Sequence, residues 1–224
     1  MKRFISLAAM AALLVGCGAK KEDEENKKNL QDGTWIEACR SNGSESNSFK
    51  FLGLEDDTGS GDNNGDSAPS YSKMTLKFEA STFIAEQGEY SDATCATQTM
   101  GSKLEGTYKA GDDAEKPGTS VEGATAIDIA VTSVQMKIMK EDMLAQVATA
   151  CTPAPTLNTY FDMSTCNFGD GDGKDHGPKK GETWYMIFKA SDTELYWGNE
   201  DDTNNGSTPA LRPSKLETSK MTKS

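Results

Sequence analysis

The chain has 224 residues, 35% of them apolar and 8% aromatic, with 35 acidic against 23 basic side chains and a formal charge of −12. That length suits one domain of moderate size, or two small ones, around a lean core. The acidic balance repels phosphates and argues against nucleic acid as a partner. Beyond the amino-terminal segment, no apolar run is long enough to cross a membrane.

Lys2 and Arg3 precede an apolar core from Phe4 to Val15. Twelve helical residues span only about 18 Å, short of a hydrocarbon layer of roughly 30 Å. Residues 1–16 therefore read as a secretory signal peptide. The closing Leu14-Val15-Gly16-Cys17 resembles the lipobox of bacterial lipoproteins. The resemblance implies cleavage before Cys17, a diacylglycerol on its thiol and an acylated amino terminus. Two or three chains, at about 0.8 kcal/mol per buried CH₂, would hold the protein on a membrane. Gly18 stands where that family's inner-membrane retention signal has Asp, which implies the outer membrane in a cell that has one.

Residues 17–32, with the run "AKKEDEENKKNLQD", are nearly free of apolar side chains. Such a segment buries too little surface to offset its ordering entropy and is expected to be a charged, flexible tether. A single β domain is expected over 33–216, and a tail over 217–224.

From Gly33 onward the pattern is mainly β. "GTWIEAC" opens it, and "SFKFLGL" alternates Phe49 and Phe51. "SKMTLKFEA" sets Met74, Leu76 and Phe78 on one side, the period-2 mark of a strand with one buried face. "STFIAEQGEY" follows closely enough to form a hairpin, and "KLEGTYKAG" aligns Leu104 with Tyr108. "AIDIAVTSVQMKIM" alternates through Ile127, Ile129 and Val131, then resumes at Val134, Met136 and Ile138. The slip at Thr132-Ser133 predicts a bulge or a turn. One short helix is expected over "KEDMLAQVATA", Lys140 to Ala150, which opens with acidic residues and is stopped by Pro153 and Pro155. "TWYMIFKA" and "ELYWG" are two further strands. About eight strands with short links and one helix indicate an antiparallel barrel or sandwich.

After Cys17, four cysteines remain: Cys39, Cys95, Cys151 and Cys166. An even count in an exported chain predicts two disulfides. Of the three pairings, Cys39 with Cys95 and Cys151 with Cys166 is preferred, because each stays within one half of the chain. Catalytic chemistry is not legible: there is no G-x-S-x-G, and the one histidine, His176, lies in a Gly- and Lys-rich stretch. The chain is therefore expected to be no enzyme and to need no cofactor. The acidic stretch around Asp170, Asp172 and Asp175 leaves two readings open, a Ca²⁺ loop or plain polar turns. It departs from the EF-hand pattern at Lys174 and Asp175.

Gly33-Thr34-Trp35, at the start of the first strand of a small exported β domain, resembles the first motif of lipocalins. The resemblance implies an eight-stranded barrel in which Trp35 closes one end and Arg212, in "ALRPS", packs across its ring. A counterpart of the family's T-D-Y motif is missing. Two functions follow as expectations. The first is a lipid-anchored barrel holding a small apolar ligand, lined by Phe78, Phe83, Tyr108 and Trp184. The second is an envelope protein of structural or interaction type, whose acidic loops meet a partner protein.

Overall fold

In the computed structural model, the described residues are 15–41, 70–114, 121–167, 179–201 and 203–224. The strands are β1 (Gly33–Glu37), β2 (Arg40–Ser41), β3 (Tyr71–Glu79), β4 (Thr82–Tyr90), β5 (Gln98–Ala110), β6 (Thr125–Ile138), β7 (Tyr160–Asp162), β8 (Thr183–Ala190), β9 (Glu194–Trp197) and β10 (Met221–Lys223). The helices are α1 (Val15–Leu30) and α2 (Glu141–Ala148). Strands β1, β3, β4, β5, β6, β8, β9 and β10 pair antiparallel in that order, and β10 returns to β1. The result is a closed eight-stranded antiparallel barrel, mainly β as the alternation predicts. Short β2 adds to β3, and short β7 adds to β6.

Alternation decides which face turns inward. In β3, Ser72, Met74, Leu76 and Phe78 are buried, and the residues between them are not. In β6 the two apolar runs stay on one face because the strand bulges between them. Glu105 pairs with Ser133 and Gly106 with Val131, so Thr132 has no partner residue across the ladder. That extra residue absorbs the slip seen in the sequence, and Val134 then lies opposite core residue Leu104. Gly106 permits the close approach there, since a Cβ on it would sit 2.5 Å from the Ala130 carbonyl oxygen. The β3–β4 connection is a two-residue hairpin turn at Ala80-Ser81, flanked by the pair Glu79 and Thr82. Helix α2 falls within the expected span. The expected strand "SFKFLGL" lies outside the described residues.

Two expectations need correction. The segment 217–224 is not a tail. Met221–Lys223 is β10, which pairs with both β9 and β1 and so closes the barrel. Met221 is core, and the Ser224 N–H donates to the Thr34 carbonyl at 2.9 Å. Nor are residues 17–32 a free tether, since α1 covers 17–30 and docks on the barrel. Its sequence is rich in helix formers, with Asp23–Lys27 and Glu24–Lys28 ordered acid before base at i,i+4, and with Lys27 and Lys28 in the last turn. Leu30 is fully buried beneath it. The end of the barrel that α1 covers is called here the closed end, and the opposite end the far end.

Candidate functional site

The two ends of the barrel differ in chemistry. At the closed end Gly33 and Trp35 face inward on β1. The indole folds back over the glycine: a Cβ on Gly33 would lie 2.7 Å from Trp35 Nε1. This close approach explains the Gly-x-Trp spacing. The cation over the Trp35 ring is Lys223, with Nζ 5.2 Å from the centroid. Arg212, expected across that ring, lies elsewhere. Its guanidinium sits over Tyr185 at 5.2 Å, donates from Nη1 to the carbonyls of Ile127 and Met186 at 2.8 Å each, and pairs through Nη2 with Asp128. It ties β6 to β8 from within the segment that follows β9. A recess of about 350 Å³ lies by the closed end, between β1 and the β3–β4 turn, lined by Asp32, Thr34, Lys77 and Glu79 among others.

The middle of the barrel is filled by rings. Phe78 lies 5.1 Å from Phe83 and 5.3 Å from Tyr108, centroid to centroid. Trp197 stacks on Phe83 at 6.1 Å with planes 10° apart, and Trp184 lies 6.1 Å from Trp197. Offset and edge contacts at these separations are favourable. The aromatics expected to line a hollow thus pack on one another.

Toward the far end the interior becomes acidic. Glu37 follows Gly33 and Trp35 on the inward face of β1 and is only 4% exposed. Its Oε1 lies 3.2 Å from Arg40 Nη1 and accepts a hydrogen bond from Ser219 Oγ at 3.3 Å. Its Oε2 is buried, with no hydrogen-bond donor among the described residues. Burial pushes this carboxyl above its ordinary range, against the pull of Arg40, and the charge of Glu217 adds to the rise. Glu217 is itself buried and raised by that burial, with Arg40 and Lys215 opposing. Glu200 is pushed up to about 7 by desolvation, despite the hydrogen bond that Trp184 Nε1 donates to its Oε1 at 2.8 Å, and Glu217 again contributes. Three carboxyls from distant parts of the chain thus share one field, with one guanidinium acting on two of them. Trp184 joins them to the aromatic column.

Such a group can hold a proton near neutral pH, or receive a cationic or hydrogen-bond-donating group at Glu37 Oε2. Among the described residues, no three His, Cys, Asp or Glu side chains are arranged to hold a metal ion. Asp170, Asp172 and Asp175, the Ca²⁺ candidates, lie outside the described residues, as does His176. The two disulfides form as preferred, Cys39 with Cys95 and Cys151 with Cys166. Cys17 stands near the amino-terminal end of α1. Sequence reading missed Glu37, Glu200, Glu217 and Lys223. Only Glu37 left a signal, as a charge in phase with Gly33 and Trp35. No protein-family model matches the chain, and no curated protein matches it.

Proposed function

We propose that the protein is a lipid-anchored lipoprotein of the cell envelope whose lipocalin-like barrel binds a small, largely apolar ligand at its far end. The lipobox at Leu14–Cys17 supports the anchor, and outer-membrane placement follows from Gly18 if the cell has two membranes. The observation that carries the binding reading is Glu37: an inward carboxylate, 4% exposed, with one oxygen that has no hydrogen-bond donor among the described residues. Leaving such an atom unpaired costs about 1–3 kcal/mol, a cost that function can explain. The carboxylates would receive the donor group of a ligand, and Trp184, whose Nε1 donates to Glu200, sets an apolar ring beside them.

The test uses the mature chain with Cys17→Ser, titrated with a fluorescent fatty acid and with tryptamine while tryptophan emission is followed. Saturable binding of the amine, lost in Glu37→Gln, is the expected result. Failure of both probes to saturate overturns the ligand-binding reading. The second reading, an interaction module, draws on the mutual packing of Phe78, Phe83 and Trp197, which leaves a solid centre. Crosslinking in intact envelopes that recovers one defined partner protein, with no probe binding, would favour it.

A further inference from the structure

Helix α1 touches the barrel along one face. Asp23, Asn26, Lys27, Asn29 and Leu30 are covered in whole or in part, whereas Lys21, Glu22, Glu24, Glu25 and Lys28 are exposed. The contacts are specific. Asn26 is 6% exposed, and its Nδ2 donates to the Gly123 carbonyl at 3.1 Å and to Thr125 Oγ1 at 3.0 Å. Its Oδ1 accepts the Ala190 N–H at 3.1 Å. Thr125 Oγ1 donates to Asp23 at 2.9 Å, and Asn29 Nδ2 donates to the Ala190 carbonyl at 3.2 Å. Lys223 Nζ donates to the Asn29 carbonyl at 3.3 Å. These partners are the closed-end termini of β6, β8 and β10, so one side chain, Asn26, serves backbone groups that the strands leave without a ladder.

We infer that α1 is a rigid stand-off which makes the closed end of the barrel the surface that faces the lipid bilayer. The inference rests on lipidation of Cys17, the reading proposed above. From Cys17 to Asp23, the first docked residue, is six helical residues, or about 9 Å along the axis. A flexible chain from Cys17 to Gly33 would instead wander over about 20–24 Å root-mean-square, and up to roughly 55 Å extended. The docked helix removes that freedom. The closed end is held beside the headgroups, and Glu37, Glu200 and Glu217 point away from them toward the aqueous side. A ligand then arrives from water and not from the membrane.

The native lipidated protein in phosphatidylethanolamine–phosphatidylglycerol vesicles tests this. Ser81→Cys and Ser91→Cys flank β4 at the closed and far ends, and each takes a fluorescent label. They are ten residues apart, about 25 Å along a barrel axis tilted from the strands. Quenching by a headgroup-level quencher should be threefold or more stronger at 81 than at 91, by order of magnitude from that separation. Six Gly/Ser residues inserted between Lys20 and Lys21 leave the docked face intact and should abolish the difference. Intact mass reports the lipid on Cys17 in the same samples. Lipid present with equal quenching at both sites overturns the stand-off while leaving the anchor standing. Absence of lipid on Cys17 overturns both.

Discussion

Glu37, Glu200 and Glu217 show how a residue can be unremarkable in sequence and costly in place. All three carboxyls are raised, so the folded protein holds protons that the unfolded chain releases. Stability from these groups is complete below the unfolded value of 4.5 and is lost as pH rises, through about 7 for Glu200. Asp162, Asp201 and Glu194 are lowered by hydrogen bonds, with the charges of Lys180, Lys215 and Lys220 respectively adding to the effect, so their contribution is lost on the acid side. The midpoint of thermal unfolding should therefore peak near about pH 5 and fall toward about pH 8. Glu200→Gln keeps an acceptor for Trp184 and should flatten that fall. A scan in which wild type and variant run parallel from pH 5 to 8 would refute the assignment.

Among the elements, α1 departs furthest from its composition. It has almost no apolar stripe, yet it holds the closed end through Asn26 and one fully buried leucine. Leu30→Ala should cost about 2–5 kcal/mol, as for other large-to-small changes in a core. Asn26→Ala should cost about 1–3 kcal/mol, because it strips partners from Thr125 and from the Ala190 N–H. Lys28→Ala, on the exposed face, should stay within about 0.5 kcal/mol. Urea midpoints at constant slope check all three. Three equal, near-zero values would mean that α1 does not dock. The strand β10 makes the same point from the other terminus, since three residues supply both neighbours that the barrel needs to close.

For the whole molecule, the order of the strands matters more than any single contact. Each strand of the barrel pairs with the next along the chain, apart from the small additions β2 and β7, and the last pairs with the first. Closure leaves the eight-stranded ring without a free edge, which protects it from edge-to-edge aggregation. The disulfides brace different scales of this ring. Cys151–Cys166 joins residues 15 apart, worth about 3 kcal/mol in the chain-entropy account. Cys39–Cys95 joins residues 56 apart, from the exit of β1 to the turn between β4 and β5, worth about 4 kcal/mol. The Cys39→Ser/Cys95→Ser variant should thus unfold at lower urea than the Cys151→Ser/Cys166→Ser variant. The reverse order would show that local geometry outweighs loop length.

Alternation alone determined much of this protein. Met74-Leu76-Phe78, the paired runs around Thr132 and the hairpin at Ala80-Ser81 could be read in advance, because one-sided burial writes period 2 into neighbouring residues. The disulfide pairing was legible as well, because each bridge stays within its half of the chain. Tertiary structure alone decided that Lys223 rather than Arg212 covers Trp35, that a charged segment becomes a docked helix, and that Glu37, Glu200 and Glu217 meet. Those outcomes depend on the register at which a barrel closes. Register brings together residues nearly two hundred positions apart, and no local pattern records it.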